Sequence, residues 1–162
     1  MPDSAPTSFT LSREETRAPE ALHILGEDVT VKLAAKDCGG AAAIFHLTVP
    51  PMTGPPLHRH AREDEWFYVL EGEITVEVDG ERSALSEGGC AFAARGTVHA
   101  YQNFTEQTAR MILHVSPGAN FDDFFAALSA HNRPLPEPDL PGSVKIMSDF
   151  GIEMCGPPLA ER

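Results

Sequence analysis

Short apolar segments separated by turn-forming residues are the feature that most restricts how this chain can fold. Most are four to eight residues long and rich in β-branched or aromatic side chains. They occupy residues 21–25, 29–33, 42–49, 66–70, 74–78, 90–94, 98–104 and 110–115. Glycine and proline stand between them, as in Pro50-Pro51, Asp79-Gly80 and Gly88-Gly89. Short strands at such regular spacing predict an all-β sandwich or barrel.

One segment has helical periodicity instead. Its apolar residues recur at positions i, i+3, i+4 and i+7, which places them on one face of a helix of about residues 120–131. These residues are Phe121, Phe124, Phe125 and Leu128. Asn120 is expected to cap the helix. The helix either covers an open edge of the barrel or forms a lid over a ligand-binding mouth.

The length of 162 residues fits one domain. We expect a flexible N-terminal arm over residues 1–20 and a β-barrel over residues 21–131, which includes the covering helix. Residues 132–162 are expected to form a proline-rich connector and a C-terminal tail that packs on the barrel. A second short helix is expected within this tail, at residues 143–152.

Composition excludes several classes of partner. The net charge of −12 and the pI of about 4.9 argue against nucleic acid and anionic membranes. The first residues lack a basic segment followed by an apolar one, and no apolar run is long enough to span a bilayer, so we expect a cytoplasmic protein. Three widely separated cysteines indicate free thiols.

Two histidines stand two residues apart at the end of a predicted strand. Because alternate residues of a strand share a face, the imidazoles of His58 and His60 would point to one place. Imidazole is the commonest side-chain ligand of transition metals, and Glu65 could supply a third ligand. A histidine pair alone is weak evidence, however, since many such pairs are exposed or hydrogen-bonded.

A second segment strengthens this interpretation, because the two together resemble the paired motifs of the cupin superfamily. The first motif matches at His58, His60, Glu65 and Gly72, and the second at Gly88, Gly96, His99 and Asn103. The chain departs from the family pattern at two turn positions. Ala94 stands in place of a proline, and Gly54 lies closer to the first histidine than the usual leading glycine.

The resemblance implies a double-stranded β-helix, or jelly-roll barrel, with one or two short C-terminal helices. It also implies a divalent transition metal (Fe, Mn, Ni, Cu or Zn) held by His58, His60, Glu65 and His99. The chain looks most like small bacterial cupins of the quercetin-dioxygenase-like group. This implies a dioxygenase acting on a small enolic, phenolic or diketone-like substrate, with Glu65 as general base. The alternatives are a metal-dependent isomerase, epimerase or cyclase, and a non-catalytic metal or small-molecule binder.

Strand alternation assigns the neighbours of the ligands. Phe67 and Tyr101 are each two residues from a ligand, so we expect them to line a substrate pocket. Trp66 and Tyr68 would then face outward, and exposed aromatics predict a homodimer surface. The roles of His46, His114 and Cys90 stay open.

Overall fold

The computed structural model describes residues 8–133 and 135–162, and within them the chain forms two antiparallel sheets and two α-helices. The strands are β1 (Leu22–Ile24), β2 (Glu27–Leu33), β3 (Ala43–Val49), β4 (Pro56–His60), β5 (Asp64–Glu71), β6 (Ile74–Val78), β7 (Glu81–Leu85), β8 (Cys90–Ala93), β9 (His99–Gln102), β10 (Ala109–Ser116) and β11 (Ile152–Pro158). The helices are α1 (Phe121–Asn132) and α2 (Leu140–Asp149). One sheet has the order β1-β2-β3-β10-β5-β8 and the other β11-β4-β9-β6-β7. The all-β prediction with short C-terminal helices is therefore confirmed.

The core lies between the sheets and follows from strict alternation along the strands. In β3 and β10 every second side chain is buried, including Phe45, Leu47 and Met111, while the residues between them are half-buried on the outer face. Each fully buried apolar side chain of this size stabilises the fold by about 1.5–3 kcal/mol. A one-residue slip would reverse both faces, so this alternation fixes the register.

The helices differ from the sequence prediction at their first residues. Asn120 precedes α1 as expected, but its side chain makes no capping hydrogen bond, and its backbone carbonyl accepts from Phe124. Helix α2 begins at Leu140, earlier than residue 143, because Asp139 accepts a hydrogen bond from the Gly142 amide and a proline is tolerated in a first turn. Among the described residues, neither helix is both long and apolar enough to cross a membrane.

The C-terminal residues join the second sheet as its edge strand. In β11, Ile152 pairs with His60 and Met154 with His58, and Arg59 forms an ion pair with Glu153 across the two strands. Leu159 is then buried in a small cluster on the outer face of this sheet. No strand was predicted in this tail, in which Gly156-Pro157-Pro158 is a sequence more typical of a loop. Pairing with β4 overrides that local preference.

Residues 8–20 lie along β2 without regular secondary structure. The ammonium group of Lys32 donates to the carbonyls of Ser12, Arg13 and Glu15, and Arg17 forms a two-pronged ion pair with Asp37. The flexible arm expected over residues 1–20 stays a prediction, and its residues 1–7 lie outside the described part of the chain.

Candidate metal centre

Four predicted ligands meet between the two sheets. His58 and His60 project from one face of β4, and His99 lies directly opposite His58 on β9. Glu65 reaches the same place from β5 in the other sheet. One ligand atom from each of the four lies within 4.8 Å of the others, and all four side chains are buried. The cluster therefore joins the two sheets at one point.

Backbone carbonyls orient two of the imidazoles. The Nδ1 atom of His58 lies 2.8 Å from the Pro56 oxygen, and the Nδ1 atom of His99 lies 2.9 Å from the Thr97 oxygen. A carbonyl can only accept, so both Nδ1 atoms carry a proton and donate it. This leaves each Nε2 atom to face the cluster, which is the arrangement that metal-ligating histidines need.

The imidazole of His60 makes no hydrogen bond within the described part of the chain, although the residue is 1% exposed. Both of its ring nitrogens are buried without a hydrogen-bond partner among the described residues. Its Nε2 atom lies 3.5 Å from the nearest Glu65 oxygen, beyond good hydrogen-bond length. A buried polar group left unpaired costs about 1–3 kcal/mol. The set of three imidazoles and one carboxylate thus fits a divalent cation, which would engage this unpaired nitrogen.

The charges of the cluster are strongly coupled. Burial, followed by the neighbouring His99 and His60, lowers the pKa of His58 to about 3. Burial would raise the pKa of Glu65, but the surrounding histidines outweigh it and lower the value to about 2. Burial also opposes protonation of His99, yet its 2.8 Å hydrogen bond to Glu65 raises its pKa. The surrounding histidines thus stabilise Glu65 as an anion, and His99 is hydrogen-bonded to it.

A further carboxylate, missed by the sequence analysis, lies behind His60. Glu63 is 3% exposed, and its Oε2 atom is 3.7 Å from the Nδ1 atom of His60. This distance exceeds hydrogen-bond length, and a carboxylate orients a metal-ligating imidazole only when the two groups approach to hydrogen-bond distance. The available signal was its position two residues before Glu65, which places two acidic groups next to one histidine pair.

A cavity of about 70 Å³ opens beside the cluster. His58, His60 and Glu65 form one part of its lining, and the remaining walls are almost entirely apolar. The apolar stripe of α1, Phe121, Phe124, Phe125 and Leu128, forms one wall. This volume holds several water molecules, so a small organic molecule can enter if the walls adjust.

The two predicted pocket residues occupy different positions. Tyr101 lines the cavity, whereas Phe67 lies behind it and packs on the rings of His99 and Tyr101 at centroid distances of 6.0 and 5.9 Å. Phe67 therefore supports the site from within the core. Phe67 faces inward as expected but is not among the residues that line this cavity, so its role at a substrate pocket stays a prediction.

The cavity also contains a glutamate that the sequence analysis did not select. Glu27 begins β2, is 4% exposed, and accepts a 2.6 Å hydrogen bond from the hydroxyl of Tyr101. Burial raises its pKa to about 8, although the hydrogen bond from Tyr101 opposes this. Its signal was the register, because Glu27 shares the inward face of Val29 and Val31.

The residues left open lie away from the cavity. His46 and His114 occupy half-buried outer positions of β3 and β10, which alternate with the core residues. Cys90 is exposed on β8, opposite Tyr68. Trp66 and Tyr68 also lie on the outer, half-buried face of β5.

The unusual turn positions still form the required loops. An added Cβ on Gly54 would collide with the backbone oxygen of Tyr101, so a glycine is needed there. The turn at Ala94 closes without proline, because Thr97 donates to the Ala94 carbonyl and Gly96 donates to His60. Asn103 is fully buried and organises the loop after β9 through four hydrogen bonds.

The two sheets enclose a buried cluster of three histidines and one glutamate that could hold a metal ion. A family model described as a cupin domain matches residues 45–115, which include all four ligands. A structure described as a predicted oxalate decarboxylase from Thermotoga maritima shares the fold, with a TM-score of 0.59 and 22% identity over 67% of this chain and 98% of that chain. Residues 45–115 therefore match a cupin domain, and the two sheets share the fold of that structure.

Two curated relatives are similar over part of their length. The tetracenomycin polyketide synthase protein TcmJ of Streptomyces glaucescens is 27% identical over 96 residues, which are 59% of this chain and 64% of that protein. Quercetin 2,3-dioxygenase of Bacillus subtilis (strain 168) is 35% identical over 71 residues, 44% of this chain and 20% of that protein. The chain thus spans less than two thirds of the length of either relative.

The raised pKa of Glu27 predicts a pH-dependent contribution to stability. Between pH 4.5 and about 8 the unfolded carboxyl loses a proton that the folded one keeps. The stability that Glu27 contributes is therefore fully present below pH 4.5 and is lost as the pH rises through about 8. Relative to Glu27→Gln, the wild type should lose several kcal/mol across this window, since a tenfold change in proton affinity corresponds to about 1.4 kcal/mol.

Urea unfolding of chelator-treated protein at several pH values measures this difference. Asp28→Asn, at the exposed neighbour on the same strand, is the control and should follow the wild type. Parallel stability curves for the wild type and Glu27→Gln would contradict the raised pKa.

Proposed function

We propose that this chain is a metal-dependent cupin enzyme that acts on a small organic molecule in the cavity beside His58, His60, Glu65 and His99. The observation that carries the proposal is His60, one of the four converging ligand groups. It is buried, and both of its ring nitrogens lack a hydrogen-bond partner among the described residues. Imidazole and carboxylate together suit Fe(II), Mn(II), Ni(II), Cu(II) or Zn(II), and the absence of sulfur from this cluster argues against a closed structural zinc site.

The reaction we favour is a dioxygenation of an enolic, phenolic or diketone-like substrate. A bound divalent ion would supply Lewis acidity towards a substrate oxygen and, if redox-active, electron transfer to O₂. The chain itself supplies a largely apolar cavity, and the carboxylate of Glu65 is the group we propose as proton acceptor. The likeness to a quercetin 2,3-dioxygenase supports this choice.

A second candidate is an isomerase, epimerase or cyclase of the same fold, in which no O₂ is consumed. The likeness to a tetracenomycin polyketide synthase protein favours it, and the aromatic wall of α1 suits a ring-shaped ligand. A non-catalytic binder is the third reading, since the same cavity would hold a ligand without changing it. The three free cysteines agree with a cytoplasmic location, which we also propose.

We further propose that two copies pair through the outer face of the first sheet. The ring centroids of Trp66 and Tyr68 are 5.5 Å apart there, with the rings tilted. Phe92 stands opposite Trp66 and is 58% exposed. Ile112 stands opposite Tyr68 and extends the apolar surface onto β10. With a net charge of −12, two copies repel each other over most of their surfaces. This apolar cluster is the least costly contact, because the acidic groups beside it, Asp64 and Glu71, are paired with arginines.

Metal content tests the site. Purified protein should contain about one divalent ion per chain by elemental analysis, and the double variant His58→Ala/His99→Ala should contain almost none, because one imidazole and one carboxylate hold a divalent ion poorly. The matched control replaces two histidines outside the cluster, His23→Ala/His114→Ala, and should keep its metal. Full metal content in the ligand variant would overturn the proposal.

Oxygen uptake separates the reaction classes. With a panel of flavonols, diketones and phenols, a dioxygenase should consume about one O₂ per substrate lost, measured with an oxygen electrode and by product mass. Product of unchanged mass without O₂ uptake would instead favour the isomerase or cyclase. Tight binding of a panel member to metal-loaded protein without any conversion would favour the non-catalytic reading.

The oligomeric state tests the outer face. Sedimentation velocity at about 10 μM should give a dimer, since buried aromatic clusters dominate stable interfaces. Phe92→Asp should shift the protein to monomer, because it buries an unpaired charge in the contact. Phe104→Asp, at an exposed phenylalanine in the loop after β9, should remain dimeric. A monomeric wild type would exclude this interface.

A further inference from the structure

The cavity has a second polar end, formed by two side chains that do not belong to the four candidate metal ligands. Glu27 comes from β2 in the first sheet and Tyr101 from β9 in the second, and their hydrogen bond joins the sheets. Tyr101 is two residues from His99 on the same face of β9, a separation of about 7 Å along a strand. Both side chains line the cavity that contains the histidines.

Among the described residues, only one oxygen of Glu27 has a hydrogen-bond partner. Its Oε2 atom accepts from Tyr101, and the carboxyl makes no other hydrogen bond or ion pair in this part of the chain. A carboxyl group with apolar neighbours and no cation is mostly protonated near neutral pH, in agreement with its raised pKa. Such a group offers a hydrogen-bond donor as well as acceptor positions to a molecule in the cavity.

If Glu27 and Tyr101 had only a structural role, their burial would cost desolvation free energy without a matching gain. Buried polar pairs can often be replaced by apolar residues of similar shape without loss of stability, because replacement removes the desolvation cost of both partners. The surrounding walls would accept such a replacement, since Ile24, Val29 and Leu47 line the same cavity. A polar pair at this position is best explained by a contact with a ligand.

We propose that Glu27 and Tyr101 form a hydrogen-bonding subsite for a hydroxyl or carbonyl oxygen at the far end of the substrate. This inference deepens the proposed function and rests on it. The substrate class that fits is an aromatic or polyketide-like ring system with oxygen functions at two separated positions. One oxygen function faces His58, His60 and Glu65, the other faces Glu27, and the ring lies against Phe121 and Phe125 of α1.

Two pairs of probes test the subsite. β-Naphthol and β-methylnaphthalene have nearly the same shape and differ in a hydroxyl, and both are titrated against the metal-loaded and the chelator-treated full chain. The second pair is a hydroxynaphthoate, whose adjacent hydroxyl and carboxylate chelate metals, and the same molecule with an added hydroxyl on its far ring. Calorimetry should show roughly three- to tenfold tighter binding for the probe with the additional hydroxyl in each pair, the effect of one hydrogen bond.

The double variant Glu27→Leu/Tyr101→Phe should lose this preference, so that the affinities within each pair become about equal. It should unfold at the same temperature as the wild type or higher, which a structural role would not produce. The matched control Asp28→Leu/Tyr68→Phe makes the same kind of change on outward-facing positions and should keep the preference.

Three results would overturn the inference. They are a wild type without preference for the hydroxyl, a double variant that retains the preference, and an absence of nuclear Overhauser contacts between bound β-naphthol and the ring of Tyr101 in the wild type. The last measurement needs no variant and holds even if the double variant does not fold. If the naphthol preference is present but the hydroxynaphthoate does not bind metal-loaded protein, the subsite stands and the metal-anchored substrate is wrong.

Discussion

The burial of ionisable groups between two sheets is the constraint on which the rest of this structure depends. A charge removed from water is tolerated only when other groups compensate it. The anionic Glu65 is compensated by His99 and the other ligand histidines, which come from the opposite sheet. The attraction therefore acts across the barrel, and it requires β4, β5 and β9 to keep one relative position.

The same interior contains two kinds of compensation. At the end of the cavity with the four candidate ligands, the negative charge of Glu65 is balanced by the neighbouring imidazoles. The carboxyl group of Glu63 lies 3.7 Å from the other side of His60. At the other end, Glu27 is compensated by neutrality and by one hydrogen bond from Tyr101. The two ends of the cavity therefore differ in chemistry. One has a charged cluster that could hold a cation, and the other has a neutral carboxyl group hydrogen-bonded to a tyrosine.

Sequence reasoning worked where one local pattern determines the outcome. The spacing of His58 and His60 fixes a common face on a strand, and the alternation in β5 fixes Glu65 inward and Trp66 outward. It failed where the outcome depends on residues far away in the chain. Phe67 packs on rings from another strand, and β11 is a strand because it pairs with β4. Glu27 follows the inward register of its strand, but its partner Tyr101 is 74 positions away.

The pairing of β11 with β4 links the end of the chain to two of the four ligands. β4 lies between β9 and β11, and its residues His58 and His60 stand opposite Met154 and Ile152. Edge strands are the elements that detach first when a protein opens locally. Detachment of β11 would leave β4 as the new edge of this sheet, so the positions of both imidazoles depend on the pairing of the C-terminal strand.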